Sequence, residues 1–413
     1  MKKFEKVLII IVIVLAIGVA LFFGLTKKPD SKPSDNPKPI KPTEHNDSSF
    51  NLNLIKTVNS SYTSNYLISP YSIEIALNML KEGAAGNTKD EIEKTVGTRD
   101  INKVSKDVKI ANAMFVKNKY KKDIKDNYYS IIKSNYDADI LYDDFKTPDV
   151  INNWVNKKTD KMIDKVLDQI DPNFVLGLAN AIAIDVNWEN EFECTSTTSE
   201  EFTKLDGTKY DVQMMHQSYK YDTKYFETDD AKGIIIPYAS EDDSNLEFVG
   251  ILPTNDISAY IESLTKEKIA SIDSNTNEAS DKLHINLSLP RFSYSFDLLN
   301  FMDVLITMGI KDAFSSAANF KNISDNVPLV VSQAIHKTYI ELNEKGTKAA
   351  AVTFFGMKEN AMIPAQDFEV IDIKFDKPFA YMIRDSKTKE ILFFGVTYEP
   401  NLWEGSTCEK LDY

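Results

Sequence analysis

Few side chains in this sequence could carry covalent chemistry. The histidines are His45, His216, His284 and His336, and the cysteines are Cys194 and Cys408. A Ser/His/Asp hydrolase needs a histidine beside its nucleophile and a third group to orient it. The chain has no Gly-x-Ser-x-Gly elbow, no His-Glu-x-x-His helix and no glycine-rich phosphate loop. Neither cysteine has a Cys or His neighbour at metal-ligand spacing, and two cysteines are too few to staple a scaffold. They could pair with each other, but the expectation for each is a thiol, buried or exposed. His336 stands among apolar residues, where a lone histidine is ordinarily a satisfied core or surface side chain. These residues give no reason to expect an enzyme, a metal or a cofactor.

The chemistry must then lie in what the chain offers to another protein. In the stretch 339–357, Tyr339, Glu341 and Asn343 take one face and Ile340 and Leu342 the other, as in a half-buried strand. Gly346 breaks the alternation and small residues follow. A surface loop would carry Asn, Asp, Ser, Pro and Gly, and this one is poor in them as far as Thr353. From Thr347 the alternate positions are Thr347, Ala349, Ala351, Thr353, Phe355 and Met357, small ones first. The segment has the composition of a strand that lacks a sheet. Glu344-Lys-Gly-Thr-Lys-Ala-Ala-Ala351 resembles the hinge of inhibitory serpins. Taken alone it reads equally well as an Ala-rich helix start or an ordinary loop, and the rest of the chain decides.

The elements that must position this stretch carry the same resemblance. Asn65-Tyr-Leu-Ile68 is a short strand, and Pro70 suits the first turn of a helix with Ile73, Ala76, Leu77 and Leu80 on one face and a stop at Gly83. Ser69-Pro-x-Ser-Ile73 through Glu91-Ile92 is similar to the serpin N-terminal signature. Ile110-Ala-Asn-Ala-Met-Phe-Val116 resembles a central strand of the family's large sheet, and Ile151-Asn-Asn-Trp-Val155 its overlying helix. Leu178-Ala-Asn-Ala-Ile182 with Trp188 is similar to the next strand and to the region where the loop first inserts. Here Asp185-Val-Asn187 replaces the usual glycine before that tryptophan. Leu289-Pro-Arg-Phe292, Met308-Gly-Ile310 and Leu392-Phe-Phe-Gly-Val396 are further family marks, and the resemblance covers about 49–400.

The resemblance implies an α+β serpin fold. Its large, mostly antiparallel central sheet A is accompanied by sheets B and C, eight or nine helices and an exposed reactive-centre loop at about 344–368. It implies a hinge of Glu344, Gly346, Thr347, Ala349, Ala350 and Ala351, in which Gly346 supplies rotational freedom. Thr347, Ala349 and Ala351 would face inward when the loop inserts. Ser69, Ser72, Asn180 and His336 would form a polar cluster under the parting strands, where a small hydrogen-bonded network can re-form after opening. Counting on from Gly346 as in related inhibitors places the scissile bond between Asn360 and Ala361. The segment from there to Phe375 is several residues longer than usual, so Lys358 and Met362 are alternatives. The implied activity is suicide-substrate trapping of a serine protease, or alternatively a cysteine protease, as a covalent complex with a monomeric inhibitor. The alternative function is a non-inhibitory serpin acting as a cell-surface binding module, against which the intact hinge weighs. A hidden hydrolase is a remote third reading.

The bulk properties agree with a partner that is a protein. The 413-residue chain carries a formal net charge of −14, which argues against nucleic acid, since phosphate binding needs a basic patch. Val7 opens an unbroken apolar run that ends at Leu25, flanked by lysines on both sides. A helix of that length rises about 28 Å, close to the hydrocarbon thickness of a bilayer. It has no Ala-x-Ala cleavage site, so residues 1–28 read as a membrane anchor rather than a cleaved signal peptide. Residues 29–48, rich in Pro, Lys, Asp and Ser, read as a disordered tether. The domain at 49–400 would then face outward, with a C-terminal tail at 401–413; secretion after signal cleavage is the alternative.

Overall fold

A computed structural model of the chain describes residues 37–38, 49–97, 108–239, 245–332, 334–347 and 368–401. The elements below belong to one compact unit, Ser34–Tyr413. The α+β architecture is the one expected; the described residues form eight α-helices and four hydrogen-bonded sheets, two of which are the halves of sheet A. Among them no helix is long and apolar enough to cross a membrane, and the 7–25 run lies outside them.

The helix Pro70–Gly83 organises the interior. Pro70 opens it where a missing N–H costs nothing, and Ser69 caps it by accepting from the Ser72 N–H. The sequence pattern suggests one apolar face, yet Tyr71, Ser72, Glu74, Ile75, Asn78 and Met79 are also buried. The reason is tertiary: the helix packs against strand Leu176–Ile184 of sheet A and strand Ile391–Thr397 of sheet B, so two opposite faces are covered. Phe50–Asn59 is a helix that begins directly after Ser49, whose backbone is extended.

Sheet B is seven-stranded, running from Tyr66–Ile68 through Ile391–Thr397, Phe379–Asp385 and Leu246–Pro253 to Ala231–Pro237 and beyond. Sheet C pairs Glu369–Lys374, Leu283–Pro290, Lys209–Tyr219 and Thr198–Thr203 in that order. In sheet A, Val108–Lys117 pairs parallel with Asp139–Asp143 and antiparallel with Leu176–Ile184. Alternate residues of Val108–Lys117 serve two cores. Met114 and Val116 join the main core, while Ala113 and Phe115 join a second one under helix Asp149–Lys158. There Phe115 and Trp154 meet edge to face at 5.7 Å.

Sheet A is divided. Past Asp185 its chain continues as Val186–Asn187, which pairs with Gly346–Thr347, itself paired with Lys337–Leu342 and then Phe292–Asp297. Among the described residues no pairing joins Leu176–Ile184 directly to Lys337–Leu342. A cavity of about 370 Å³ lies along that seam, lined by Leu80, Phe115, Asn180, Val331 and His336 among others. One expectation is corrected outright: Cys194 is disulfide-bonded, not a thiol. The sequence has one other cysteine, Cys408, which lies outside the described residues.

Candidate functional site

The hinge begins as a hairpin turn. Asn343 and Gly346 exchange backbone bonds of 3.0 and 3.3 Å, folding Glu344 and Lys345 into the turn between Lys337–Leu342 and Gly346–Thr347. Glu344, Gly346 and Thr347 are buried rather than exposed, so the start of the loop already lies in the sheet. Gly346 is not in the left-handed region. Its need for glycine is steric, since a Cβ there would meet the Val186 carbonyl oxygen at 2.1 Å. In this state the glycine permits close backbone approach. Thr347 turns inward, its hydroxyl 2.6 Å from the Tyr238 hydroxyl.

Trp188 closes the site from the side. It is 1% exposed, stacks on Tyr238 at 4.7 Å, and its indole N–H donates to the Asn343 carbonyl at 2.9 Å. Its backbone N–H donates to Lys345 O at 2.8 Å, and that of Phe192 to Glu344 O at 2.8 Å. The Glu344 carboxylate, fully buried, accepts from the Arg291 guanidinium at 3.2 Å and from the Thr197 hydroxyl at 2.7 Å. Before Trp188 the strand breaks at Asp185 and resumes as Val186–Asn187, in register with Gly346 and Thr347.

Below lies the polar cluster, which the fold does bring together. Ser69 donates its N–H to His336 Nε2 at 3.1 Å and its hydroxyl to the Leu392 carbonyl at 2.6 Å. Ser72 donates its hydroxyl to Asn180 Oδ1 and its N–H to Ser69 Oγ. Asn180 donates in turn to Asn112 Oδ1 at 2.6 Å, and Asn112 to the Tyr136 carbonyl at 2.7 Å. Burial disfavours the His336 imidazolium and brings its pKa down to about 4. The neutral ring accepts at Nε2; a proton there would remove that acceptor and leave a buried charge.

Arg291, Tyr238, Thr197 and Asn112 are site residues that sequence reasoning passed over. Arg291 stood in a quoted motif, Leu289-Pro-Arg-Phe292, without a role. Asn112 had a readable signal: Ala111-Asn-Ala113 repeats Ala179-Asn-Ala181, and the two asparagines are direct partners across the antiparallel pair. A polar residue at the same place in two apolar strands points to a shared bond. Ala349, Ala350, Ala351 and the candidate reactive residues Lys358, Asn360, Ala361 and Met362 lie outside the described residues.

The pattern is matched among known proteins. The family model described as Serpin (serine protease inhibitor) matches residues 45–400. An uncharacterized serpin-like protein of Thermococcus kodakarensis is 30% identical over 87% of this chain and 86% of its own length. Human neuroserpin is 29% identical over 81% of this chain and 86% of its own. The native-state structure of the thermophilic serpin tengpin superposes with a TM-score of 0.72 at 31% identity, covering 89% of this chain and 97% of that one.

Two measurements follow from this geometry. The ordinary histidine value is 6.5 and the folded value of His336 is about 4. The unfolded chain therefore binds the proton first, and stability present above pH 6.5 is lost as pH falls to 4, by about 3 kcal/mol in all. The thermal midpoint should fall across that window, and His336→Gln should flatten the fall; an equally steep fall in the variant would remove His336 as its cause. Glu344→Ala should lower the thermal midpoint by the equivalent of about 3 kcal/mol, since it removes one partner of a buried ion pair. Thr197→Val should cost only about 1 kcal/mol. Calorimetry of both variants checks the ranking.

Proposed function

Because the chain belongs to the serpin family, we propose that it is an extracellular, monomeric inhibitor of serine proteases, with cysteine proteases the alternative target class. It traps its target as a covalent complex. The observation that carries this reading is Gly346–Thr347, already paired between two strands above a seam that is still open. The target's catalytic nucleophile attacks the carbonyl of Asn360, or of Lys358 or Met362, and the amine of the following residue leaves. The ester or thioester joins the target to the new chain end.

Insertion then continues from where it has begun. Ala349 and Ala351 follow Thr347 on the inward side, and small side chains enter a packed layer without overfilling it. About a dozen inserted residues give a strand of about 40 Å, enough to carry the bound target along the sheet. The driving force is the set of ladder bonds and apolar contacts left unmade while the strand is missing. Seam opening is reversible because its polar cluster is held by hydrogen bonds that can re-form.

The decisive experiment mixes the soluble domain with a panel of proteases. A heavier band resistant to denaturation is expected for at least one; clean loop cleavage with every enzyme would favour a binding module instead. With a responsive protease, Thr347→Arg should raise the number of inhibitor molecules consumed per target inactivated by about tenfold or more. An arginine beside Tyr238 would have to bury its charge unpaired or hold the first step open. An unchanged number would defeat the hinge mechanism.

Membrane attachment is part of the same proposal: the 7–25 run would anchor the domain on the outer face through the 29–48 tether. The disulfide at Cys194 supports a compartment outside the reducing cytosol. Cell fractionation should leave the protein with membranes, and external protease should release the domain. A mature form beginning near Thr26 in the medium would show a cleaved signal peptide instead.

A further inference from the structure

The cavity along the seam is built of three stretches, 173–182, 328–332 and 334–337, which lie on either side of the gap. Leu77, Leu80, Phe115, Val155 and Leu305 line it between them, and its volume of about 370 Å³ is that of a small-molecule pocket. Val330 and Ile335 also line it and are 49% and 43% exposed, so its mouth is apolar as well. One polar side chain in the lining is left half-satisfied. His336 is only 8% exposed, and its Nε2 accepts from the Ser69 N–H at 3.1 Å. Burial holds its pKa down at about 4, so the ring is neutral near pH 7. A neutral imidazole that accepts at one nitrogen carries its proton on the other. The Nδ1–H of His336 is therefore a donor, and among the described residues it has no acceptor. A buried donor without an acceptor is unfavourable, and an oxygen brought into the cavity would relieve it. The neighbouring polar groups are already engaged: Ser72 bonds Asn180, and Lys337 pairs with Asp297 at 3.1 Å.

We propose that this cavity binds an uncharged, medium-chain aliphatic molecule carrying one oxygen acceptor, the chemistry of a fatty ketone, ester or alcohol. The oxygen accepts from His336 Nδ1–H, and the chain lies along the seam. Its length follows from the space available. A methylene takes about the volume of a water molecule in the liquid, about 30 Å³, so the cavity accommodates a chain of about ten to twelve carbons. Burying that chain against Leu77, Leu80 and Leu305 removes apolar surface from water and drives binding. A carboxylate head is selected against. The lysine in the lining is already paired, the histidine is neutral, and a buried charge without a partner is costly. The consequence for trapping rests on the function proposed above: a bound chain occupies the slot that the residues after Thr347 must enter, so hydrolysis of the covalent intermediate gains on insertion. The binding site itself does not rest on that reading.

The probe is 2-decanone, titrated by calorimetry into the full-length, uncut protein kept free of detergent, whose alkyl chains would compete. Saturable binding is expected, about tenfold or more tighter than that of decanoate at neutral pH. No saturable binding, or equal binding of ketone and carboxylate, would overturn the proposal. Ala334 lines the cavity and is half-buried, so a larger side chain there fills space without displacing a buried one. Ala334→Phe should weaken the ketone by about tenfold or more, and unchanged affinity in a folded variant would overturn the site. A diazirine-bearing analogue of the ketone locates the site in the unaltered protein, whatever the variant does. Its cross-links should fall within 173–182, 328–332 or 334–337, and labelling confined to other segments would overturn the proposal. For a responsive protease, saturating 2-decanone should at least double the inhibitor consumed per target. Unchanged consumption with the cavity filled would refute the link to trapping.

Discussion

Glu344 is the point on which the rest of the arrangement depends. Its side chain is fully buried, and burying a carboxylate costs several kcal/mol unless partners surround it. Arg291 and Thr197 satisfy the carboxylate, and Phe192 holds the carbonyl of the same residue. Those partners come from segments far apart in sequence. The turn therefore forms only when sheet A, the connection after Trp188 and the start of Phe292–Asp297 are all in place. Once it forms, Gly346 is pressed so close to Val186 that no side chain fits, and Thr347 is drawn under Tyr238.

From that point downward the sheet changes character. At the top it is a continuous ladder; along Leu176–Ile184 the facing edge is unmade and a cavity follows it. The polar cluster sits beside this seam and is satisfied from neighbouring elements rather than across it. Ser69, Ser72, Asn180 and Asn112 form a chain of donors and acceptors from Leu392 to Tyr136, and His336 attaches at one end through Ser69. His336 is the member carried by the segment on the far side of the gap, and its bond to the Ser69 N–H links that segment to the network. Keeping His336 neutral is a condition of that bond, and burial supplies it.

Two single residues owe their state to distant segments rather than to local pattern. The expectation of a thiol at Cys194 failed. In the folded chain Gly346 is needed because another backbone lies against it. Cys194 is disulfide-bonded, and the sequence's other cysteine, Cys408, is far from it along the chain. Neither neighbour is near in sequence, so no window of residues could reveal it.

The amino-acid sequence by itself determined the family, because motif spacing operates within short stretches, and through that resemblance it implied the α+β architecture. It also carried the pairing of Asn112 with Asn180, in a repeated Ala-Asn-Ala that becomes a contact once the two strands lie antiparallel. Only the tertiary structure decided that Glu344 pairs with Arg291, that helix Pro70–Gly83 is covered on two faces, and that Gly346 and Thr347 are already inside the sheet. Each of these depends on which distant segments arrive at one place. That is set by packing the whole core, where burial and polar satisfaction are balanced across the molecule rather than along the chain.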